Sequence, residues 1–70
     1  MIEVHFIVPS EVTSKLSSRF SFRHKNGFAG YFVSITRSEL WSIAMSLVDS
    51  GYRIDIKPGD TIRLMAKENK

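Results

Sequence analysis

Arg37-Ser38-Glu39-Leu40-Trp41-Ser42-Ile43-Ala44-Met45-Ser46-Leu47-Val48-Asp49-Ser50 is the stretch on which the fold turns. Leu40, Ile43, Ala44, Leu47 and Val48 recur at i, i+3, i+4, i+7 and i+8, the apolar stripe of a helix lying on a core. Thr36 or Ser38 is suited to cap its start, and Gly51 supplies its stop. On both sides the period changes to two. Ahead of the helix, Tyr31, Val33 and Ile35 interleave with Phe32, Ser34 and Thr36; behind it, Tyr52, Ile54 and Ile56 interleave with Arg53, Asp55 and Lys57. A turn at Lys57-Pro58-Gly59-Asp60 leads into Ile62, Leu64 and Ala66, so the chain closes on a hairpin, with residues 67–70 expected to fray. A helix set between alternating segments is an α+β pattern.

Further towards the N-terminus, Ile2, Val4, Phe6 and Val8 alternate with Glu3 and His5, a half-buried strand that Pro9 ends. Val12, Leu16 and Phe20 then recur every four residues, which predicts a short helix with Ser10 as N-cap and Glu11 where the helix dipole favours a carboxylate. Thr13, Ser14, Ser17 and Ser18 are mediocre helix formers, so an irregular loop over 10–19 is the alternative. Phe20, Phe22 and His24 alternate with Ser21, Arg23 and Lys25 up to Asn26-Gly27, a strong hairpin signal, and predict a strand that turns back into one over 30–36. The resulting order is a ferredoxin-like βαββαβ(β), a small single-layer antiparallel or mixed sheet with helices on one face. If 10–19 is a loop, the order becomes three strands, a helix and two strands, and a β-grasp-like roll describes it better.

Size and composition bound the rest. Seventy residues, 43% hydrophobic and 24% charged with four Gly and two Pro, make one folded domain spanning 1–70 with a small core. The absence of cysteine excludes disulfides, thiolate nucleophiles and Cys-based zinc sites. The N-terminal stretch has no basic segment of the signal-peptide kind, and no apolar run approaches the roughly 20 residues of a membrane span, so a cytoplasmic protein without a membrane partner is expected.

Charge is unevenly laid out. The net charge is +3, and no acidic residue falls between Glu11 and Glu39, whereas Lys15, Arg19, Arg23, Lys25 and Arg37 all do, among Phe20, Phe22, Phe28, Tyr31 and Phe32. Basic and aromatic interleaving of this kind suits a nucleic-acid face. By alternation, the sheet face away from the helices carries His5, Ile7, Arg23, Lys25, Phe32, Arg53 and Arg63. Arg and Lys would take phosphates, while Phe32 and His5 would stack bases. The competing reading has these aromatics filling the core and the basic side chains simply solvated.

A second class of function rests on Trp41 and Met45, at i and i+4 just off the core stripe. Exposed, they would anchor a protein–protein interface, making the chain a subunit, inhibitor or regulator of a larger partner, of the kind small basic phage or plasmid proteins provide. Buried, Trp41 would complete the core, as the size of the domain favours. The unpaired edges of an open sheet also offer a route to a homodimer. For catalysis there is little: His5 and His24 lack ligand spacing, the ten serines lie mostly in helix-surface, cap and loop contexts, and Asp49, Asp55 and Asp60 each have a local structural role available. The expectation is a non-enzymatic binding module with no metal site and no cofactor.

Gly27-Phe28-Ala29-Gly30-Tyr31-Phe32-Val33-Ser34-Ile35 resembles the third-strand segment of RNA-recognition motifs, K/R-G-F/Y-G/A-F-V-x-F/Y, but places Gly30 at the stacking position and Phe28 at the basic one. Ile56-Lys57-Pro58-Gly59-Asp60-Thr61-Ile62 is similar to the late hairpin of β-grasp sulfur carriers, without their terminal glycine pair, and its Lys-Pro-Gly-Asp run resembles the turn of swapped-hairpin transcription factors. These are likenesses of single turns, and they imply no family.

Overall fold

The computed structural model describes residues 1–68. Its elements are β1 (Ile2–Ile7), α1 (Ser10–Leu16), β2 (Tyr31–Ile35), α2 (Arg37–Asp49), β3 (Tyr52–Lys57) and β4 (Ile62–Glu68). The four strands form one mixed sheet in the order β2-β1-β4-β3. β1 runs antiparallel to β2, with Val4 opposite Val33, and parallel to β4, with Phe6 beside Leu64; β3 and β4 are antiparallel, with Ile56 opposite Leu64. The molecule is thus a small α+β domain of four strands and two helices.

Strand alternation sends Val4, Phe6, Val33, Ile35, Leu64 and Ala66 to one face, where Leu40, Ile43, Ala44 and Leu47 of α2 and Val12 of α1 close over them. Phe6 and Leu64 are fully buried at the junction of the parallel pair. The start of α2 is fixed by a capping box: Thr36 Oγ1 accepts from the Glu39 N–H at 3.1 Å, and Glu39 Oε1 accepts from the Thr36 N–H at 2.8 Å. Two of the helix's orphan donors are satisfied in this way. α1 is indeed helical, but it starts one residue earlier than expected: Pro9 occupies the cap position without a side-chain cap bond, and Ser10 is already inside the helix. It ends at Leu16, where the serine pair 17–18 begins. The Tyr52 hydroxyl donates to Glu11 Oε1 at 2.8 Å and ties α1 to the start of β3.

The ferredoxin-like order is not seen. It needs two strands between the helices, and the sheet has one there, with a parallel pair at its centre. The segment expected as a strand over 20–25 makes a single rung, in which Arg23 and Phe32 exchange both backbone hydrogen bonds at 2.8 Å. The reason lies in the turn. The Phe28 N–H donates to the Lys25 carbonyl, and of the two central residues only Gly27 has a positive φ (82°). That is type II geometry, which splays flanking strands instead of matching their twist as the type I′ form of Asn-Gly would. The alternation over 20–25 still sorts side chains by face: Phe20 and Phe22 pack on the core, while Arg23 and Lys25 reach the other side. At the C-terminal end, Lys67 and Glu68, expected to fray, belong to β4 and sit opposite Arg53 and Tyr52; Asn69 and Lys70 lie outside the described residues.

Two glycines test this loop. Gly30 (φ 79°) sits where a Cβ would clash with the Phe6 carbonyl oxygen, whereas nothing lies within 4 Å of the Cβ position of Gly27. Gly27→Ala therefore carries only the left-handed backbone penalty of about 1–2 kcal/mol. Gly30→Ala adds a clash with the backbone of β1, and urea unfolding should show it to be clearly the more destabilising of the pair.

Candidate functional site

The face opposite the helices is built by the out-of-phase residues of each strand: Glu3, His5 and Ile7 on β1, Phe32 and Ser34 on β2, Arg63, Met65 and Lys67 on β4, and Arg53, Asp55 and Lys57 on β3. It divides into two halves of different character.

Over β1 and β2 the 23–30 loop folds back as a cap. The His5 ring stacks on Phe32 with centroids 4.2 Å apart and planes 7° from parallel, and Phe28 meets both edge-on. The Lys25 ammonium sits 4.4 Å from the Phe32 ring centroid, a cation–π contact. His5 Nε2–H donates to the Ala29 carbonyl, which fixes the ring's tautomer and pins the loop to β1. Gly30 makes this approach feasible, since any side chain there would meet Phe6 and His5. At the strand's other end, both Glu3 carboxylate oxygens accept from Lys25 Nζ at 2.9 Å, with Arg23 at 3.4 Å from one of them. The Lys25 hydrogen bond holds the Glu3 carboxyl below its ordinary range; partial burial opposes this, and the charges of Lys25 and Arg23 add to it.

This arrangement corrects the proposed stacking residues. Phe32 is 4% exposed and His5 7%, each covered by the other and by the loop, so neither offers a free ring face to a base. The large aromatic that does face solvent here is Phe28, 60% exposed, beside His5, Lys25, Phe32 and Arg63. Its position just after an Asn-Gly turn was the available signal, since a turn tip is an unusual place for a core phenylalanine. Arg23 and Lys25 do lie on this face, but Glu3 already neutralises part of their charge.

Over β3 and β4 the face is open and cationic. The register sets Arg53 directly opposite Lys67 and Lys57 directly opposite Arg63, with Asp55 and Met65 paired between them. Among the described residues, none of these four cations has a carboxylate within ion-pair distance. Like charges directly across a ladder are destabilising, so the strands hold together despite this arrangement and not because of it. A shallow hollow of about 380 Å³ lies between Arg53, Asp55, Met65 and Lys67. Arg63, beside His5 on the parallel β1–β4 ladder, joins this half to the aromatic one. Arg53 and Arg63 were expected here; Lys57 and Lys67 share their alternation phase, and what only the register shows is that they stand directly across from Arg63 and Arg53.

On the helix side, Trp41 is 58% exposed, and Met45 and Val48 are similarly open. Trp41 therefore does not complete the core, and Val48, expected in the core stripe, joins Trp41 and Met45 on the outward flank. Leu40, Ile43, Ala44 and Leu47 already fill the sheet-facing side of α2. His24 is exposed and leans on Tyr31, away from His5. Among the described residues, no three His, Asp or Glu side chains come together as a metal site would require, and no helix is long and apolar enough to cross a membrane. Comparison with protein-family models, with characterised proteins and with solved structures finds no match.

The Glu3 cluster makes a pH prediction. A carboxyl whose folded-state pKa is depressed contributes stability above its unfolded value, and that contribution is lost as pH falls through the folded one. Glu39, held low first by the Thr36 backbone hydrogen bond and then by the Thr36 hydroxyl, has the same sign. Stability should therefore decline as pH drops from about 6 to about 3, and Glu3→Gln should flatten part of that decline while Glu39 keeps the rest, as read from urea midpoints across the range.

Proposed function

We propose that the protein is a non-enzymatic polyanion-binding module whose ligand is a nucleic acid, held on the open sheet face by Arg53, Lys57, Arg63 and Lys67. The carrying observation is the pair of opposed cations, Arg53 with Lys67 and Lys57 with Arg63, without neutralising partners among the described residues. Phosphates spaced along a backbone supply the missing counter-charge, and binding would release the ions otherwise held there. Phe28, at the border of this array, is the residue suited to stack on an unpaired base, with Arg23 and Lys25 as outlying contacts. A parallel central pair between two antiparallel ones supports a β-grasp-like roll as the finer description of the fold.

A second reading, a protein-interaction module, is favoured by one observation: Trp41, Met45 and Val48 form an exposed apolar stripe on the helix side, away from the cations. The two readings use opposite surfaces and are separable by mutation.

Anisotropy titrations with labelled single-stranded and duplex oligonucleotides over a range of salt test the first reading. Affinity should fall with salt, and Arg63→Gln with Lys67→Gln should lower the magnitude of the log–log slope by about 1.4–1.8, at 0.7–0.9 per phosphate contact. Phe28→Ala should weaken single-strand binding by about 5- to 150-fold, the equivalent of one stacked base at about 1–3 kcal/mol, while the protein stays folded with only the small loss of its edge contacts to His5 and Phe32. Absence of binding to either at low salt, or a slope indifferent to Arg63 and Lys67, would refute the assignment.

A further inference from the structure

The two edges of the sheet are not equivalent. On the β2 side, Arg23 closes a rung on Phe32 and the 23–30 loop covers the strand. On the β3 side, none of the described residues pairs with the outer edge. β3 nevertheless carries half-buried Tyr52, Ile54 and Ile56 towards the helix layer and the alternating charges Arg53, Asp55 and Lys57 towards the open face. Bare strand edges are templates for pairing with another chain.

We propose that the occupant of this edge is a second copy of the same chain, paired antiparallel through β3 with Ile54 opposite Ile54 on a two-fold axis. The charge sequence selects that register. Centred on Ile54, Arg53 of each copy faces Asp55 of the other, twice over, and Tyr52 faces Ile56, while the whole of Gly51–Lys57 overlaps. Centred on Arg53 or on Asp55, identical charges meet on the axis, and centring on Asp55 adds Arg53 against Lys57. Centred on Ile56, the overlap runs into Pro58, which has no N–H to give a ladder. A shift by a single residue sets the helix layers on opposite sides of the joined sheet.

The helix side supports the same partner. α2 packs on β3 and turns its Ser42 and Ser46 flank towards α1 and Phe20, which leaves the Trp41, Met45 and Val48 stripe on the opposite flank, open to a partner that extends the sheet at β3. An edge ladder alone is a small contact. Each Trp41, 58% exposed, adds on the order of 100 Å² towards the roughly 800 Å² per partner of a standard interface. The dimer is an eight-stranded sheet in which Arg53 is paired with Asp55 of the other copy while Lys57, Arg63 and Lys67 of both copies remain the open cations of one contiguous face; its formation does not depend on what that face binds.

Size-exclusion chromatography with light scattering, on the full chain without nucleic acid and at tens of micromolar, reads the outcome. The wild type should show twice the chain mass, Asp55→Arg should revert to monomer by setting Arg against Arg, and Arg53→Asp with Asp55→Arg should restore the dimer by exchanging the two charges. Trp41→Ser should raise the dimer dissociation constant at least about tenfold, at about 1.4 kcal/mol per decade. A monomeric wild type, a dimer indifferent to Asp55→Arg, or a double variant that is folded by circular dichroism yet monomeric would each overturn the proposal. The exchange variant keeps the test decisive even if Asp55→Arg alone does not fold.

Discussion

The parallel pairing of β1 with β4 is the contact on which the rest of the structure depends. It joins Val4 to Ile62 and Phe6 to Leu64, bringing opposite ends of the chain together at the centre of the sheet. On either side lies an antiparallel pair that is marginal alone, since two strands without a covered face do not persist in water. Only when β1 meets β4 do Phe6 and Leu64 become fully buried and the two halves share one core beneath α2. Closing so long a loop before its contacts form makes this a high-contact-order step, and folding should be cooperative and slow compared with a helical protein of the same length.

The same pairing determines what the open face displays. With β4 in the middle, its out-of-phase residues Arg63 and Lys67 stand between β1 on one side and the cations of β3 on the other. The capped half and the cationic half differ because the chain between α1 and β2 returns across only one of them. There, Lys25 and Arg23 find Glu3, and His5, Phe32 and Phe28 find one another. No segment folds back over β3 among the described residues, and its charges remain unpaired.

What was legible in the sequence was whatever depends on near neighbours. The stripe from Leu40 to Leu47 and the alternations in β1, β2, β3 and β4 fix element types because burial on one face imposes the period. The strand order was not legible, since it depends on which distant partner β1 chooses. The segment 20–25 alternates like a strand, yet its turn geometry leaves a single rung. Phe32 lies on the open face as its alternation dictates, but exposure there depends on a loop that no periodicity describes. Trp41 shows the converse: the smallness of the domain argued for burying it, but the sheet-facing side of α2 was already filled by Leu40, Ile43, Ala44 and Leu47.

The central claim is that the cationic β3–β4 surface, and not the capped aromatic cluster or the helix stripe, is what this domain presents to a polyanion. An amide-resolved NMR titration with a short single-stranded oligonucleotide tests it most directly, because every strand residue reports separately. Perturbations should concentrate at Arg53–Lys57, Arg63–Lys67 and Phe28, with Trp41–Val48 unmoved. Shifts centred on α2, or none at low salt, would contradict it.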